Sequence, residues 1–199
     1  MQQLPVMEHF YTIQGEGAHQ GRAAYFIRLG GCDVGCVWCD VKDSWDAQKH
    51  PLVEINKLVV AASASPARMV VITGGEPLMH PLDTLTESLH KAGFTTHLET
   101  SGAHPLSGSW DWITYSPKKF KSGLPEVAQA AHELKIVIYH LSDFVFAEQH
   151  AQQVGKDCQL YLQPEWSNRE RMMPAIVDYV KKHPQWRISL QTHKYLDIP

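Results

Sequence analysis

Short runs of apolar and β-branched residues alternate along this chain with longer segments in which apolar residues recur every three or four positions. The first pattern is typical of strands covered on both faces, and the second is typical of helices with one buried face. Seven strands are predicted, at residues 24–29, 69–73, 96–100, 112–115, 134–138, 159–163 and 186–191. Four helices are predicted between them, at residues 52–63, 82–92, 143–154 and 170–182.

This alternation predicts an α/β fold whose strands are mostly parallel. The chain has 199 residues, whereas a complete eightfold βα barrel usually takes about 250. An incomplete (β/α) barrel is therefore predicted. No repeat or Pro/Gly-rich linker interrupts the chain, so residues 1–199 are predicted to form a single domain. Ligands of such folds bind at the carboxyl ends of the strands, where the loops should carry the chemistry.

Composition and charge narrow the classes of function. Hydrophobic residues make up 44% of the chain and charged residues 20%, which is typical of a globular protein with a buried core. The formal net charge of -3 provides no overall positive field for a phosphate backbone, which argues against a direct nucleic-acid partner. No apolar run approaches the roughly 20 residues of a membrane span, and the N-terminus lacks the pattern of a signal peptide. A soluble, cytoplasmic protein without a membrane partner is predicted.

Three of the four cysteines lie close together, directly after the predicted strand 24–29. Cys32, Cys36 and Cys39 form a C-x3-C-x2-C loop, whereas Cys158 stands alone. Crowded thiols of this kind more often hold a metal or perform redox chemistry than form a disulfide framework. Structural zinc usually takes four protein ligands, while three thiolates can hold a [4Fe–4S] cluster and leave one iron open. A zinc site completed by a histidine, and buried thiols without a metal, are the alternatives.

A second candidate lies at the end of the predicted strand 69–73, which runs into the turn Gly74-Gly75-Glu76-Pro77. Two glycines remove side chains that would keep a ligand away from the backbone. Taken alone, the turn is also consistent with an ordinary connection between a strand and a helix. It gains meaning from the cysteine loop one strand earlier.

The cysteine loop, with Trp38 before its last cysteine, and the GGEP turn together resemble the two motifs of the radical S-adenosylmethionine (SAM) superfamily. The resemblance implies a catalytic [4Fe–4S] cluster held by Cys32, Cys36 and Cys39. Its open iron would bind SAM, and an electron from a donor such as flavodoxin or ferredoxin would release a 5′-deoxyadenosyl radical. That radical would abstract a hydrogen atom from the substrate.

Five further segments, including both ends of the chain, resemble the 7-carboxy-7-deazaguanine synthase family. They are FYTIQGEG at 10–17, AYFIR at 24–28, ETSG at 99–102, YSPK at 115–118 and QTHKYLDIP at 191–199. The resemblance implies conversion of 6-carboxy-5,6,7,8-tetrahydropterin to 7-carboxy-7-deazaguanine, a ring contraction that expels ammonia. Enzymes of this family are carbon–nitrogen lyases of queuosine biosynthesis, a tRNA-modification pathway, and use SAM as a reusable cofactor together with Mg2+.

The family's functional residues carry over onto the matching positions of this chain. The implied SAM contacts are Trp38, Cys39, Asp40, Gly75, Ser116, Pro117, Lys118, Gln163, Pro164, Glu165 and Trp166. The implied substrate contacts are Ile13, Gln14, Gly15, Glu16, Arg28, Thr73 and Pro199. Among these, Arg28 would pair with the substrate carboxylate in a bidentate manner.

Pro199 is the most unusual of these positions. The resemblance implies that its free terminal carboxylate receives the guanidine-like edge of the pterin in two hydrogen bonds. A frayed tail is the alternative, because chain ends are often poorly ordered. The apolar side chains of Tyr195, Leu196 and Ile198 favour a docked tail. His193 belongs to the same motif, and its role, contact with the substrate or support of the tail, stays open.

One position departs from the family's pattern. Relatives carry a threonine two residues after the last cluster cysteine, and its hydroxyl contributes to a Mg2+ that also meets the substrate. This chain has Val41 there, and valine cannot ligate a hard cation. Either Mg2+ is held differently, through Asp40, Asp43, Ser44 or water, or the enzyme depends less on magnesium than its relatives do.

Two other functions and one assembly complete the predictions. A glycyl-radical-enzyme activase would share the cysteine loop but leave both terminal motifs unexplained. A non-catalytic zinc-binding module would explain the cysteines alone. A homodimer is expected, because an incomplete barrel leaves edge strands that a partner could cover.

Overall fold

Nine strands form one sheet in the computed structural model of this chain, which describes residues 2–199. The strands are β1 (Gln3–Ile13), β2 (Ala23–Leu29), β3 (Leu52–Glu54), β4 (Met69–Gly74), β5 (Thr95–Thr100), β6 (Trp112–Tyr115), β7 (Glu133–Ile138), β8 (Gln159–Pro164) and β9 (Trp186–Ile188). The α-helices are α1 (Ile55–Ser63), α2 (Asp83–Lys91), α3 (Pro125–Ala130), α4 (Asp143–Ala151), α5 (Arg169–Lys182) and α6 (Thr192–Leu196). All seven predicted strands and all four predicted helices are present, with differences in their bounds.

The sheet follows the order β3-β1-β2-β4-β5-β6-β7-β8-β9. From β2 to β9 every neighbouring pair is parallel, while β1 pairs antiparallel with both β2 and β3. Because β3 and β9 are the two ends of this order, the barrel stays open. The predicted α/β fold, an incomplete and mostly parallel barrel, is confirmed.

The helices cover one face of the sheet and supply much of the core. Leu58 of α1 and Leu85 and Leu89 of α2 are fully buried in one cluster with Leu98 of β5. Burying a leucine side chain of this kind stabilises the fold by about 1.5–3 kcal/mol. Successive strand residues point to opposite faces, so Glu99, next to Leu98, faces a cavity inside the barrel instead. No helix within residues 2–199 is long and apolar enough to cross a membrane.

The N-terminal strand is the main element that the hydrophobic pattern did not predict. β1 runs over eleven residues, contains Pro5, and changes register between Val6 and Glu8. A proline inside a run argues against a central strand, and the irregularity interrupts the alternation of apolar and polar positions. The prediction of a helix over the whole of 52–63 was wrong at its start, because residues 52–54 form β3 and pair with β1.

Three smaller differences concern short elements. β9 ends at Ile188, three residues before the predicted end of that strand, because the chain then turns towards α6. Neither α3 nor α6 was predicted, and they contain six and five residues. Helices with fewer than two turns cannot show an apolar repeat, so periodicity does not reveal them.

Candidate active site

The carboxyl ends of the parallel strands surround a cavity of about 280 Å³. Its walls come from the loops after β2, β4, β5, β6 and β8, from the connection between β1 and β2, and from the C-terminal tail, residues 192–199. All but one of the predicted cluster, SAM and substrate residues line this cavity. The exception is Pro117, which is buried but forms no part of the wall. The structure thus brings these positions together, and their individual contacts with ligands stay predictions.

The cysteine loop is held in place by main-chain hydrogen bonds. The Gly31 amide donates to the Ser44 carbonyl at 2.6 Å, and the Cys32 amide donates to the Trp45 carbonyl at 3.0 Å. At the end of the loop, the Cys39 amide donates to the Cys36 carbonyl at 3.1 Å. These contacts fix the backbone, so the three thiols all face one cavity.

The donor set fits an iron–sulfur cluster. The three thiols are not bonded in disulfides, and Cys36 is only 8% exposed. Burial raises the pKa of the Cys36 thiol to about 11; the Lys118 ammonium opposes this shift, and the thiols of Cys39 and Cys32 add to it. Three thiolates so close together are therefore costly unless a positively charged centre compensates them. Across residues 2–199, no three His, Cys, Asp or Glu side chains are grouped so that they could hold a single metal ion.

The GGEP turn packs directly against the cysteine loop. A Cβ atom on Gly75 would lie 2.2 Å from the Gly31 carbonyl oxygen and 2.7 Å from the Cys32 Cβ. Gly74 has a φ of +150°, a conformation that favours glycine. The sequence interpretation assigned the glycines to ligand approach, but protein backbone fills much of this space. Gly75 therefore lets the two motifs touch, and Gly74 lets the turn pack against Leu29 at the end of β2.

Glu76 of the same turn joins neighbouring loops. Its carboxylate is 1% exposed and accepts hydrogen bonds from the Thr100 hydroxyl at 2.5 Å and from the Ser101 hydroxyl and amide at 2.5 and 2.8 Å. The Leu78 amide donates to it as well, at 3.1 Å. A buried carboxylate satisfied by four donors is a rigid connection. Glu76 thus fixes the ends of β4 and β5 relative to each other.

A buried lysine lies between two carboxylates at the bottom of the cavity. Lys135 of β7 donates to Glu16 at 2.6 Å and to Glu99 at 2.8 Å, and its side chain is 5% exposed. The Gln191 amide donates to the other oxygen of Glu16 at 2.9 Å, and the Gln14 amide reaches Glu99 at 3.4 Å. All five side chains line the cavity. They form a polar floor with fixed donors and acceptors.

The two carboxyl groups of this floor titrate differently. Burial would raise the pKa of Glu16, but Lys135 and the Gln191 hydrogen bond outweigh it and lower the pKa to about 2. Burial raises the pKa of Glu99 to about 7. The Lys135 ammonium lowers this pKa, but the negative charges of Glu16 and Glu133 raise it and offset part of that effect. Besides Lys135, Glu99 has only the long hydrogen bond from Gln14, whereas Glu16 has the shorter one from Gln191. We therefore assign the higher pKa of the pair to Glu99. Burial would lower the pKa of Lys135, yet the three carboxylates raise it above its usual range.

Lys118 places a cation beside the cysteine loop. Its ammonium donates to the Ser116 carbonyl and hydroxyl at 2.5 and 2.6 Å and lies 6.0 Å from the centre of the Trp38 ring. Burial lowers the pKa of Lys118, and the negative charge on a Cys36 thiolate would raise it. Lys118 can therefore compensate negative charge at the thiolates or at a carboxylate of bound SAM.

Arg28 of β2 is paired across the strands with Glu8 of β1. The Arg28 Nε donates to the Glu8 carboxylate at 2.6 Å, and the Arg28 side chain is 20% exposed and lines the cavity. The guanidinium therefore keeps its terminal Nη groups for a ligand. A planar fork of this kind matches a carboxylate in two hydrogen bonds.

The C-terminal tail is docked, but the three apolar side chains expected to anchor it bury unequal amounts of surface. Tyr195 and Leu196 are 58% and 59% exposed, whereas Ile198 is half-buried. Polar contacts add to this: the Thr192 amide and hydroxyl donate to the Gly15 carbonyl at 3.0 and 2.9 Å. His193 lines the cavity and also packs against Gly15, where a Cβ would lie 2.3 Å from the His193 Nδ1. The open question about His193 is thus answered in part: it supports the tail and faces the cavity.

The residues around Val41 do not fit a magnesium site made of side chains. The Asp40 carboxylate is paired with Lys194 at 2.8 Å, and the Ser44 hydroxyl donates to the Val41 carbonyl at 2.6 Å. Asp43 is exposed and does not line the cavity. Hard cations need free oxygen ligands. Of the three predicted substitutes, only Asp40 brings a carboxylate to the cavity, and Lys194 already binds one of its oxygens.

Sequence reasoning missed Lys135, Glu99 and Gln191 as site residues. Lys135 is the single charge inside the apolar run 134–138, and its place in a predicted buried strand was the signal that could have revealed it. Glu99 and Gln191 lay within motifs that the sequence singled out, without a role of their own. A buried charge requires partners, but only the fold shows which ones.

Comparison with known proteins agrees with this geometry. The profile of the Radical SAM superfamily matches residues 26–142, which span the cysteine loop and the GGEP turn. Together with the open barrel and the three thiols at its mouth, this match defines the class of protein: a radical SAM enzyme. Enzymes of this class use a [4Fe–4S] cluster and SAM, act on a small-molecule substrate and take electrons from a reductant.

The nearly full-length relatives are more specific. The 7-carboxy-7-deazaguanine synthase of Flavobacterium psychrophilum is 56% identical over 196 residues, covering 98% of this chain and 93% of the relative. The synthase of a Synechocystis strain is 50% identical, with the same coverage. The crystal structure of QueE from Escherichia coli superimposes with a TM-score of 0.85 at 32% identity, over 94% of this chain and 93% of that chain. This chain belongs to the 7-carboxy-7-deazaguanine synthase family, which decides against a zinc module and against an activase.

Proposed function

We propose that this protein converts 6-carboxy-5,6,7,8-tetrahydropterin to 7-carboxy-7-deazaguanine, with loss of ammonia, on the route to queuosine. One observation carries the proposal beyond family membership. The three thiols of the cysteine loop and the floor of Glu16, Lys135 and Glu99 open onto one cavity. A radical source and a polar cradle for a pterin would therefore lie side by side.

When bound, a cluster and SAM supply a 5′-deoxyadenosyl radical to the substrate; the protein's part is orientation, charge and exclusion of water. Arg28 would bind the substrate carboxylate through its free Nη groups. The carboxylate of Glu99 would accept hydrogen bonds from N–H groups of the pterin, and Gln14 and Thr73 would add further polar contacts. Lys135 would keep Glu16 charged and hold it in place.

Product analysis tests the proposal. The reconstituted and chemically reduced protein is incubated without oxygen with SAM and 6-carboxytetrahydropterin, and the products are identified by mass. We expect 7-carboxy-7-deazaguanine and ammonia. Ordinary SAM cleavage without a ring-contracted product would assign the chain a different radical SAM substrate. A colourless protein that retains zinc instead of iron would remove the radical chemistry altogether.

The pH dependence of substrate binding should report on Glu99. Because the pKa of Glu99 is raised to about 7, its carboxylate is present above that pH and protonated below it. The apparent KM for the pterin should therefore fall as pH rises from 6 to about 8. Glu99→Gln should raise KM about 10- to 100-fold, the usual scale for a hydrogen bond to a charged group, and should flatten the profile. An unchanged profile in Glu99→Gln would assign the titration to the substrate or to the neighbouring Glu16 or Glu133.

The activity of the natural protein should depend less on magnesium than the activity of a variant with threonine at position 41. Val41 supplies no oxygen ligand, and its neighbours Asp40 and Ser44 are already hydrogen-bonded. We expect initial rates of the natural protein to change less than about threefold between chelator and millimolar Mg2+, because Val41 offers no ligand and Asp40 is already paired with a cation. Val41→Thr should introduce a clear Mg2+ dependence. Superimposable magnesium curves for the two proteins would show that position 41 does not decide magnesium use.

Assembly and location are also part of the proposal. The sheet ends in two strands of only three residues, β3 and β9, and Leu52 on β3 is 63% exposed. A homodimer that covers such an edge is expected, and the molar mass from light scattering tests it. We place the enzyme in the cytoplasm, where three crowded thiols stay reduced.

A further inference from the structure

We infer that Lys194 is a positioning residue that couples the binding of SAM to the binding of the substrate. It does so by tying the C-terminal tail to the loop after β2 and the loop after β8. The inference rests on the proposed function, since it takes Asp40 and Trp166 as SAM contacts and Pro199 as a substrate contact. No motif or family position assigned a role to Lys194.

The contacts of Lys194 join three parts of the molecule. Its ammonium lies 2.8 Å from the Asp40 carboxylate, in the loop after β2, and 5.2 Å from the centre of the Trp166 ring, in the loop after β8. The neighbouring Tyr195 packs edge-on against the same ring, with the ring centres 5.1 Å apart. The Lys194 side chain is only 22% exposed, although it lies on the last helix of the chain. A cation held by a carboxylate and an aromatic face is fixed in position.

The C-terminal tail connects Lys194 to the proposed substrate contact, Pro199. α6 starts with the two bonds from Thr192 to Gly15, and the residue after its end, Asp197, has a φ of 54° that turns the chain back. The Ile198 amide then donates to the His193 carbonyl at 3.1 Å. The Thr12 hydroxyl donates to the Pro199 main-chain oxygen at 3.3 Å, at the edge of the cavity. Only four residues therefore separate Lys194, which contacts the two proposed SAM loops, from Pro199, the proposed substrate contact.

The tail has little stability of its own. A helix of five residues is far too short to persist without tertiary contacts. Tyr195 and Leu196 are mostly exposed, so the tail depends mainly on its hydrogen bonds to Gly15 and Asp40 and on the contacts with the Trp166 ring. A ligand that fixes the Asp40 and Trp166 loops also fixes Lys194 and lowers the entropy cost of ordering the tail. The second ligand then finds Pro199 and His193 already in place, which is positive coupling, and coupling between two binding events is reciprocal.

Two measurements on the anaerobically reconstituted, unreduced protein test this inference without turnover. The first is hydrogen exchange of the amides of residues 192–198 with and without SAM, in the absence of any pterin. SAM should slow this exchange about five- to tenfold in the natural protein and leave it unchanged in Lys194→Met. The second is the Kd of 6-carboxytetrahydropterin with and without saturating SAM, by calorimetry. SAM should tighten that Kd about tenfold in the natural protein, within the usual range of coupling, and less than twofold in Lys194→Met.

Two further variants control the experiment. Lys194→Arg keeps the cation and its stacking on Trp166, so it should retain most of the coupling. Lys182→Met removes the same charge from the exposed end of α5 and should behave like the natural protein. Far-UV circular dichroism confirms that each variant is folded. A general effect of charge would appear equally in Lys182→Met and would overturn the inference.

The outcomes separate this inference from the proposed function. If Lys194→Met shows the same SAM-induced protection and the same pterin coupling as the natural protein, Lys194 has no positioning role. If SAM protects none of the tail amides in the natural protein, the coupling route is overturned, even where the pterin binds well. If SAM protects the tail but the pterin does not bind at all, the proposed substrate is wrong. The proposed coupling between SAM and substrate binding is then overturned as well.

Discussion

Lys135→Met is expected to lower the free energy of unfolding of the apoprotein by about 3–5 kcal/mol at pH 7, the usual cost of removing one partner of a buried ion pair. The ammonium of Lys135 is bonded to Glu16 and Glu99, and Glu133 contributes a third nearby charge. Without Lys135 the pKa of each carboxyl rises, so folding costs more as pH rises above the unfolded pKa of about 4.5. The deficit measured by urea unfolding should therefore be smaller at pH 5 than at pH 8.

Two controls identify the cause. Lys181→Met, on the exposed end of α5, removes the same side-chain type without leaving a buried charge and should change stability by less than about 0.5 kcal/mol. Combining Lys135→Met with Glu16→Gln and Glu99→Gln removes the unpaired charges and should recover part of the loss. If the triple variant is no more stable than Lys135→Met, the loss reflects packing and not electrostatics.

Cys36→Ala is expected to abolish the activity. Loss of a residue that only hydrogen-bonds to a metal ligand lowers activity about 10- to 100-fold, and loss of a ligand itself should lower it far more. Cys36 is one of three thiols that face the cavity, and two thiols cannot hold the cluster at three corners. Iron and sulfide content after reconstitution, the visible absorption of the cluster, and product formation are measured together. The fold should survive, because alanine replaces a small, 8% exposed side chain.

Cys158→Ala is the matched control for this substitution. Cys158 is also a free, partly buried thiol, but it lies before β8 and does not line the cavity. The variant should bind as much iron as the natural protein and retain its activity. If Cys158→Ala loses the cluster to the same degree as Cys36→Ala, the assignment of the three ligands is wrong.

Periodicity predicted the parallel part of the barrel because each of those strands is covered on both faces. The apolar run that became β4 is continuous for that reason, and the run that became β7 is interrupted only by Lys135. The pattern did not reveal β1, which lies towards one edge and contains Pro5. It also did not reveal that residues 52–54 are a strand, because their pairing with β1 overrides a helical pattern. Edge strands depend on partners, and partners are remote in sequence.

The candidate site divides in the same way. The spacing of Cys32, Cys36 and Cys39 and the two glycines of the GGEP turn are local patterns, and they pointed to one site before any fold was known. The polar floor was not visible, since Lys135 lies 119 residues from Glu16 and 36 from Glu99. The same holds for Lys194 and Asp40, which are 154 residues apart.

The sequence by itself determined the class of fold, the cysteine loop and the turn that packs on it, because these depend on residues that are neighbours along the chain. Only the tertiary structure decided which charges pair beneath the cavity, how the tail is anchored, and that Asp40 is engaged by Lys194. The physical reason is the order of strands in the open barrel. Side chains from distant segments meet at one end of the sheet, and burial there makes each of them depend on partners that no local pattern specifies.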